Sequence, residues 1–350
     1  MEAIAVSQPV FRLIYDRKDI TADLQPYVLQ ITYTDVLSGE SDDLQINLSD
    51  RDQRWKNAWF PGKGDALQLS IGYAGTPLTP CGSFQIDEVE LNGPPDTISI
   101  KAVAAGVNQA LRTENSAAYE DMTVEQIAQA IAKKHGYKLT GKITEKKRTR
   151  RVKRVTQMKE KDLAFLKRLG ESEGIIFSVK DGQLIWHDQD ELDAANSITV
   201  IKRAQMSHFT FRSKANQVYR ACEVSYHDPV SKKLITHQFK ADNVTTGDVL
   251  KLNVRCESKE DAIIKAAAAL RNQNGRQLEG QVKVFGNPRL VAGGNVEIAG
   301  LGVFDGGYQI LKAVHSMERG LGYTTEVELS STGDKNKNMT NLRNLKRVAK

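Results

Sequence analysis

Six histidines, His135, His187, His208, His227, His237 and His315, are scattered through the 350 residues, and no two stand at the HxH or HExxH spacing that would bring paired imidazoles to one metal ion. Each reads as a lone surface or core histidine. Cys81, Cys222 and Cys256 are equally isolated, an odd number without a CxxC pair, as expected of reduced thiols packed like small apolar side chains. No GxSxG nucleophile turn and no phosphate-cradling GxxxxGKS/T loop occurs. Gly300, Gly302 and Gly306 match a dinucleotide fingerprint only loosely and lie between β-patterned segments, so they read as turn glycines. Glu171 and Glu173 fall on different faces of one expected helix, which does not suit a pair of catalytic carboxylates. These residues lead to the expectation of a protein that is not an enzyme and holds no metal or cofactor.

The evident binding chemistry is basic. Lys146, Lys147, Arg148, Arg150, Arg151, Lys153 and Arg154 put seven charges in nine residues, and Lys335, Lys337, Arg343, Lys346, Arg347 and Lys350 are the charged residues of the stretch 335–350, which holds no acid. Such runs suit a polyanion or an acidic protein surface; the alternative for the internal run is a solvated, mobile loop between two helices. Few aromatic residues interleave with it, so base stacking is not indicated. Both segments are expected to contact partners rather than to support the fold. The net charge is +6, yet with 142–154 and 335–350 set aside the rest carries 35 basic and 42 acidic residues. That acidic body disfavours a protein whose main task is coating DNA.

These segments are set among elements that the periodicity makes legible. From Val10 to about Ala110 apolar residues alternate: Leu44, Ile46 and Leu48; Leu67, Leu69, Ile71 and Tyr73; Phe84 and Ile86; Ile98, Ile100 and Ala102. Period two predicts antiparallel strands with one buried face, and Gly/Pro clusters at 61–64, 75–80 and 92–95 supply the turns. Next, Thr123 and Gln126 form a capping box, Val124, Ile127, Ala128 and Ile131 share a helix face, and Gly136 stops the helix. A second helix begins near Glu160, with Leu163, Phe165, Leu166 and Leu169 as its core residues and Gly174 near its end. Two short strands, IIFSV and QLIW, follow through a hairpin at Lys180-Asp181-Gly182. An alanine-rich helix opens at Ser258 and Asp261 and ends near Gly275.

Beyond Gly275 the β pattern returns in an order that echoes the first region. Gly64-Asp65 and Gly294-Asn295 each open a strand, Phe84-Gln85-Ile86 matches Tyr308-Gln309-Ile310, and one alternating strand closes each set. The expected fold class is therefore α+β, predominantly β: two related antiparallel β-barrel domains with an inserted small α/β region. The expected division is a first barrel over 1–110, an α/β module with two helices and a hairpin over 111–195, and strands for the second barrel plus an insert with the Ala-rich helix over 196–274. The second barrel continues over 275–332, and the basic tail occupies 333–350. No segment has the 18 or more consecutive apolar residues of a membrane-crossing helix, and an acid stands where a signal peptide would be basic, so cytoplasmic synthesis without a membrane partner is expected.

Four segments resemble one family, the baseplate hub proteins of contractile phage tails, known as late control D proteins and related to the N-terminal part of the VgrG spike proteins of type VI secretion. Pro9–Thr21 with Leu29–Asp35 is similar to the family's first strands. Gln157–Phe177 is similar to its best-marked segment, Q-x-x-E-S-D-L-x-F-L-x-R-L-x-E-x-x-G. Ala262–Leu270 matches its alanine-rich helix, and Gly286–Ile298, Gly307–Ile310 and Val314-His315 match its second barrel. The departures are Lys161 in place of Ser and the basic lead-in at Lys146–Arg154. The resemblance implies tube-type barrels and a homotrimer whose paired barrels form a pseudo-six-fold ring, joining a hexameric tail tube to a trimeric spike. It also implies other baseplate proteins, a tape-measure protein and passing DNA as neighbours, with synthesis in a bacterial host and residence in the tail baseplate of a phage or tailocin.

Two other functions compete with that expectation. A DNA-binding late-gene regulator would use the basic run, but no helix-turn-helix spacing is visible. A peptidoglycan-binding or cell-wall module is suggested because residues 122–138 look like the first half of a LysM repeat, but the second helix of that repeat is replaced by the basic run.

Overall fold

The computed structural model describes residues 8–105, 113–214, 218–227, 232–241, 247–254, 256, 258–275 and 277–332. In chain order the first region holds β1 (Pro9–Tyr15), β2 (Lys18–Asp19), α1 (Thr21–Leu24), β3 (Val28–Val36), β4 (Asp43–Ser49), β5 (Ala66–Tyr73), β6 (Thr79–Asn92) and β7 (Thr97–Ala104). A mixed region follows with β8 (Glu114–Thr123), α2 (Val124–Lys134), β9 (Lys138–Lys142), α3 (Glu145–Arg148), β10 (Arg151–Lys161), α4 (Asp162–Glu173), β11 (Ile175–Lys180), β12 (Gln183–Asp188) and α5 (Gln189–Ala194). Then come β13 (Ser197–Lys202), β14 (Met206–Ser213), β15 (Tyr219–His227), β16 (Leu234–Lys240), β17 (Asp248–Asn253) and α6 (Lys259–Gly275). The described chain ends with β18 (Leu278–Phe285), β19 (Asn295–Ala299), β20 (Gly306–Glu318) and β21 (Gly322–Ser331).

Most strands join one 13-stranded sheet whose main path runs β14-β18-β21-β20-β3-β4-β7-β6-β5-β1-β2, with β19 beside β20 and β13 beside β19. The sequence echo is a structural duplication. The order β3-β4-β7-β6-β5-β1 recurs as β14-β18-β21-β20-β19-β13. Even the irregularities repeat: β6 skips a residue between Ile86 and Glu88 against β7, and β20 skips one between Ile310 and Lys312 against β21. β3 shifts between Val28 and Gln30, and β14 shifts between Met206 and His208. Bulges are structural features that re-aim a strand, so their recurrence at matching positions marks one plan used twice. The copies differ at one end, where β1 runs antiparallel to β5 but β13 runs parallel to β19.

Alternation places the core. Leu44, Ile46 and Leu48 of β4 are buried and face Ala102, Ile100 and Ile98 of β7, the cross-strand pairing that stabilises a sheet. A separate cluster around Val282, Val296, Tyr308, Ile310 and Val327 fills the second half. The halves meet where the C-terminal part of β20 pairs antiparallel with β3, Lys312 opposite Val36 through Glu318 opposite Gln30. The face of the sheet away from the core is polar: Gln45 Nε2 donates to Ser99 Oγ (3.1 Å), and Asn47 Nδ2 donates to Gln30 Oε1 (3.3 Å).

The mixed region carries its own core of Val124, Ile127, Phe165, Leu166, Leu169, Phe177 and Trp186. Its helices end as their sequences require. Thr123 Oγ1 accepts from Gln126 N (3.1 Å) while Gln126 Oε1 accepts from Thr123 N (2.8 Å), closing the capping box. Gly174 ends α4 with φ +66°, a left-handed turn that costs a residue with a Cβ more than it costs glycine. The β11–β12 turn has φ +47° at Asp181 and +68° at Gly182, the pattern of a type I′ hairpin. β15, β16 and β17 form a small separate sheet covered by Ala262, Ala266 and Leu270 of α6, one residue per turn. Thus 197–213 supplies strands to the duplicated sheet, whereas Tyr219–His227 belongs to the small one. No helix among the described residues is long and apolar enough to cross a membrane.

Candidate subunit interface

The internal basic run is folded, so the alternative of a mobile loop does not hold: Lys146, Lys147 and Arg148 lie in α3, and Arg151, Lys153 and Arg154 open β10. Arg150 bridges two elements. Its guanidinium pairs with the buried Glu173 carboxylate at the end of α4 and with Asp261 in the first turn of α6, joining the mixed region to the small sheet's helix. Lys147 Nζ reaches Asp188 (2.6 Å), Asp190 (3.0 Å) and the carbonyl of Gly174 (3.0 Å). Those two charges therefore support the fold. Arg148 pairs with Glu145 (2.6 Å), Arg151 with Asp121 (3.5 Å) and Arg154 with Glu120 (3.5 Å), all at exposed positions where pairs contribute little. Lys146 and Lys153 are exposed with no salt bridge among the described residues. Lys335, Lys337, Arg343, Lys346, Arg347 and Lys350 lie outside the described residues.

The acids and histidines assemble into buried clusters that linear spacing does not reveal. Asp162 at the start of α4 is fully buried and accepts from Gln157 Nε2 (2.6 Å), Lys134 Nζ (2.8 Å) and His135 Nε2 (2.6 Å). Burial alone would raise this carboxyl, but the three donors outweigh it and hold its pKa below the usual range. A signal for this cluster was present: Gln157 and Asp162 are the Q and D of the segment Gln157–Gly174, and that segment's Glu160 and Arg168 pair with each other (2.9 Å). Its polar residues thus fasten β10 to α4, an architectural role. A second cluster holds the Lys180 ammonium between Asp35 and Asp42 and ties the β11–β12 hairpin to the first half of the sheet. Burial pushes the Asp42 carboxyl up to about 6, while the two carboxylates raise Lys180 against its own burial and keep it charged.

Of the remaining histidines, His315 is buried and the others with described side chains, His187, His208 and His237, are partly or fully exposed. Among the described residues, no group of three or more His, Cys, Asp and Glu is placed to hold a metal ion. Cys81, Cys222 and Cys256 are buried and unpaired with one another, and burial pushes the Cys81 thiol up to about 12, leaving it a poor nucleophile.

The surface features that remain are sheet edges. β14 ends the main path and, among the described residues, pairs only with β18. β6 is paired on both sides only through its first part, Thr79–Gln85 against β5; from Glu88 to Asn92 it has β7 on one side and no strand on the other among the described residues. Leu91, on the core-facing side of this stretch, is 52% exposed. Unpaired strand edges are templates for a further chain, and native proteins usually block or fill them.

Comparison with known proteins places these edges in a context. Residues 103–321 match the family described as phage tail baseplate hub (GPD). A probable baseplate hub protein of Escherichia phage 186 is 32% identical over 178 residues, which are 51% of this chain and 44% of that protein, so the match spans less than half of the relative's length. Among solved structures, the 43 kDa tail protein of prophage MuSo2 from Shewanella oneidensis superposes with a TM-score of 0.70 at 14% identity, covering 94% of this chain and all of that one (100%). An Escherichia coli component of the type VI secretion system gives a TM-score of 0.53 at 15% identity, covering 87% and 73%. At these identities the two structures show a shared fold.

Proposed function

The chain belongs to the phage tail baseplate hub (GPD) family, and from that membership we propose that it is a structural hub of a contractile-tail baseplate, in a phage or phage-tail-like particle, with no reaction of its own. It assembles as a homotrimer in which each subunit contributes two tube-type barrel units, one from each copy of the duplicated sheet, to a pseudo-six-fold ring. On one side the ring meets a six-fold tail tube and on the other a three-fold spike. The observation that carries this reading is the repeated strand order, with free edges left at β14 and at the end of β6. A closed cyclic assembly is the means by which such edges are satisfied without open-ended growth. The polar sheet face bearing Gln30, Gln45, Asn47 and Ser99 lines the ring's passage, where tape-measure protein or DNA travels.

The proposed division remains 1–110, 111–195, 196–274, 275–332 and 333–350. Lys146, Lys153 and the tail bases Lys335–Lys350 contact acidic surfaces of neighbouring baseplate subunits. Several such contacts must act together, since each exposed pair is worth about 0–1 kcal/mol.

The mass of the full chain under native conditions, alone and with its spike, together with electron cryomicroscopy of the particle, tests the assembly. A trimer at the hub is expected; one or six copies would overturn the reading. Removing Lys335–Lys350 should leave the melting temperature of the isolated protein unchanged and lower its incorporation into particles. Unfolding of the truncated chain, or its normal incorporation, would remove the tail from this role.

A further inference from the structure

We propose that the subunits of this ring join by β14 of one copy adding to the free stretch Glu88–Asn92 of β6 in the next, in the register that β3 and β20 use within the chain, and that two charge pairs select that register. The inference rests on the trimeric reading above and specifies its seam.

The register follows from the duplication. The matching bulges align Glu88 with Lys312 and Leu91 with His315, counted from Ile86 and Ile310. On the other strand they align Gln30 with His208, Tyr33 with Phe211 and Thr34 with Arg212. Within the chain, Lys312 faces Val36, Val314 faces Thr34 and His315 faces Tyr33. Carrying this pairing to the equivalent strands sets Glu88 opposite Lys214 of a second copy, Glu90 opposite Arg212, Leu91 opposite Phe211 and Asn92 opposite Thr210.

Two features unrelated to the duplication agree with that register. Both charge pairs that it creates are of opposite sign, and Glu90 and Arg212 are exposed with no ion pair inside the chain among the described residues. Glu88 already pairs with Lys101 (3.1 Å) and Lys214 with Glu279 (2.6 Å), so the seam would continue an alternating ladder Lys101–Glu88–Lys214–Glu279 across the subunit boundary. On the core-facing side, exposed Leu91 meets Phe211, which already packs on Tyr308 at 5.6 Å between centroids. A shift of β14 by one residue would set Leu91, whose orientation is fixed by its pairing with Ile98, opposite Thr210 or Arg212 of the polar face instead of Phe211.

The test uses the full chain in assembled particles. Glu90→Cys with Arg212→Cys should form intersubunit disulfides on mild oxidation, because directly opposed residues in adjacent strands lie within disulfide reach. The pair Glu90→Cys with His208→Cys, out of register, should not. In solution, Glu90→Arg or Arg212→Glu alone should weaken trimer formation by about tenfold, and the two together should restore it. A trimer that cross-links only out of register, or whose double reversal fails to restore it, would overturn this seam while leaving the ring intact. A hub with a copy number other than three would overturn both.

Discussion

The ring of Tyr33 stacks on that of His315, 5.7 Å between centroids and 15° between planes, where the two copies of the sheet meet. The residues are also register partners of β3 and β20. His315 Nε2 donates to the carbonyl oxygen of Leu290 (3.1 Å), leaving Nδ1 to accept from the Tyr323 hydroxyl (2.8 Å). The junction of the halves is therefore built around a neutral imidazole.

Stability should fall as that imidazole is forced to charge. Burial lowers the His315 pKa to about 4, against an ordinary value of 6.5, with the nearby Asp35 opposing the shift. The unfolded chain then binds the proton more readily between these values, so the contribution is complete above pH 6.5 and is lost as pH falls towards 4. The full loss is about 3 kcal/mol. Denaturant melts at successive pH values should show this slope, and His315→Gln should flatten it; an unchanged slope in the variant would exclude His315 as its source.

Arg150→Met should destabilise by about 3–5 kcal/mol, because it removes the salt-bridge partner of the buried Glu173 carboxylate, while Asp261 keeps Lys265. Lys153→Ala, at an exposed position of the same run, should change stability by less than about 0.5 kcal/mol. Equal effects in thermal melts would contradict the division of the run into inward and outward charges.

Leu166→Ala should cost about 2–5 kcal/mol, since Leu166 is wholly buried between α4 and its neighbours. A loss below about 1 kcal/mol would mean that the site collapses around the smaller side chain.

Gly170→Ala sets two effects against each other. Alanine favours a helix over glycine by about 1 kcal/mol. A Cβ at Gly170 would run into the carbonyl oxygen of Ile175 and crowd Phe177 at 3.1 Å, and backbone cannot step aside as a side chain can. Overpacking of this kind costs about 1–3 kcal/mol, so a net loss is expected in urea melts, and a gain would show that β11 shifts freely.

Strand and helix identities were legible because they depend on near neighbours. The alternation of Leu44, Ile46 and Leu48, the box of Thr123 and Gln126, and the turn at Asp181-Gly182 all act within a few residues and recur in the fold as read. The echo of Phe84-Gln85-Ile86 in Tyr308-Gln309-Ile310 likewise marked the duplication, since equal patterns build equal strands. Tertiary structure alone decided what the charges do. Lys147 and Arg150 stand among residues of the same type as Lys146 and Lys153, and composition cannot distinguish them. Their partners Asp188, Glu173 and Asp261 lie 23 to 111 positions away and come within reach only after the helices pack. Burial then raises the cost of leaving each carboxylate unpaired. The register across the β20–β3 seam is of the same kind: it joins segments 276 to 288 residues apart, and nothing local to either strand specifies the other.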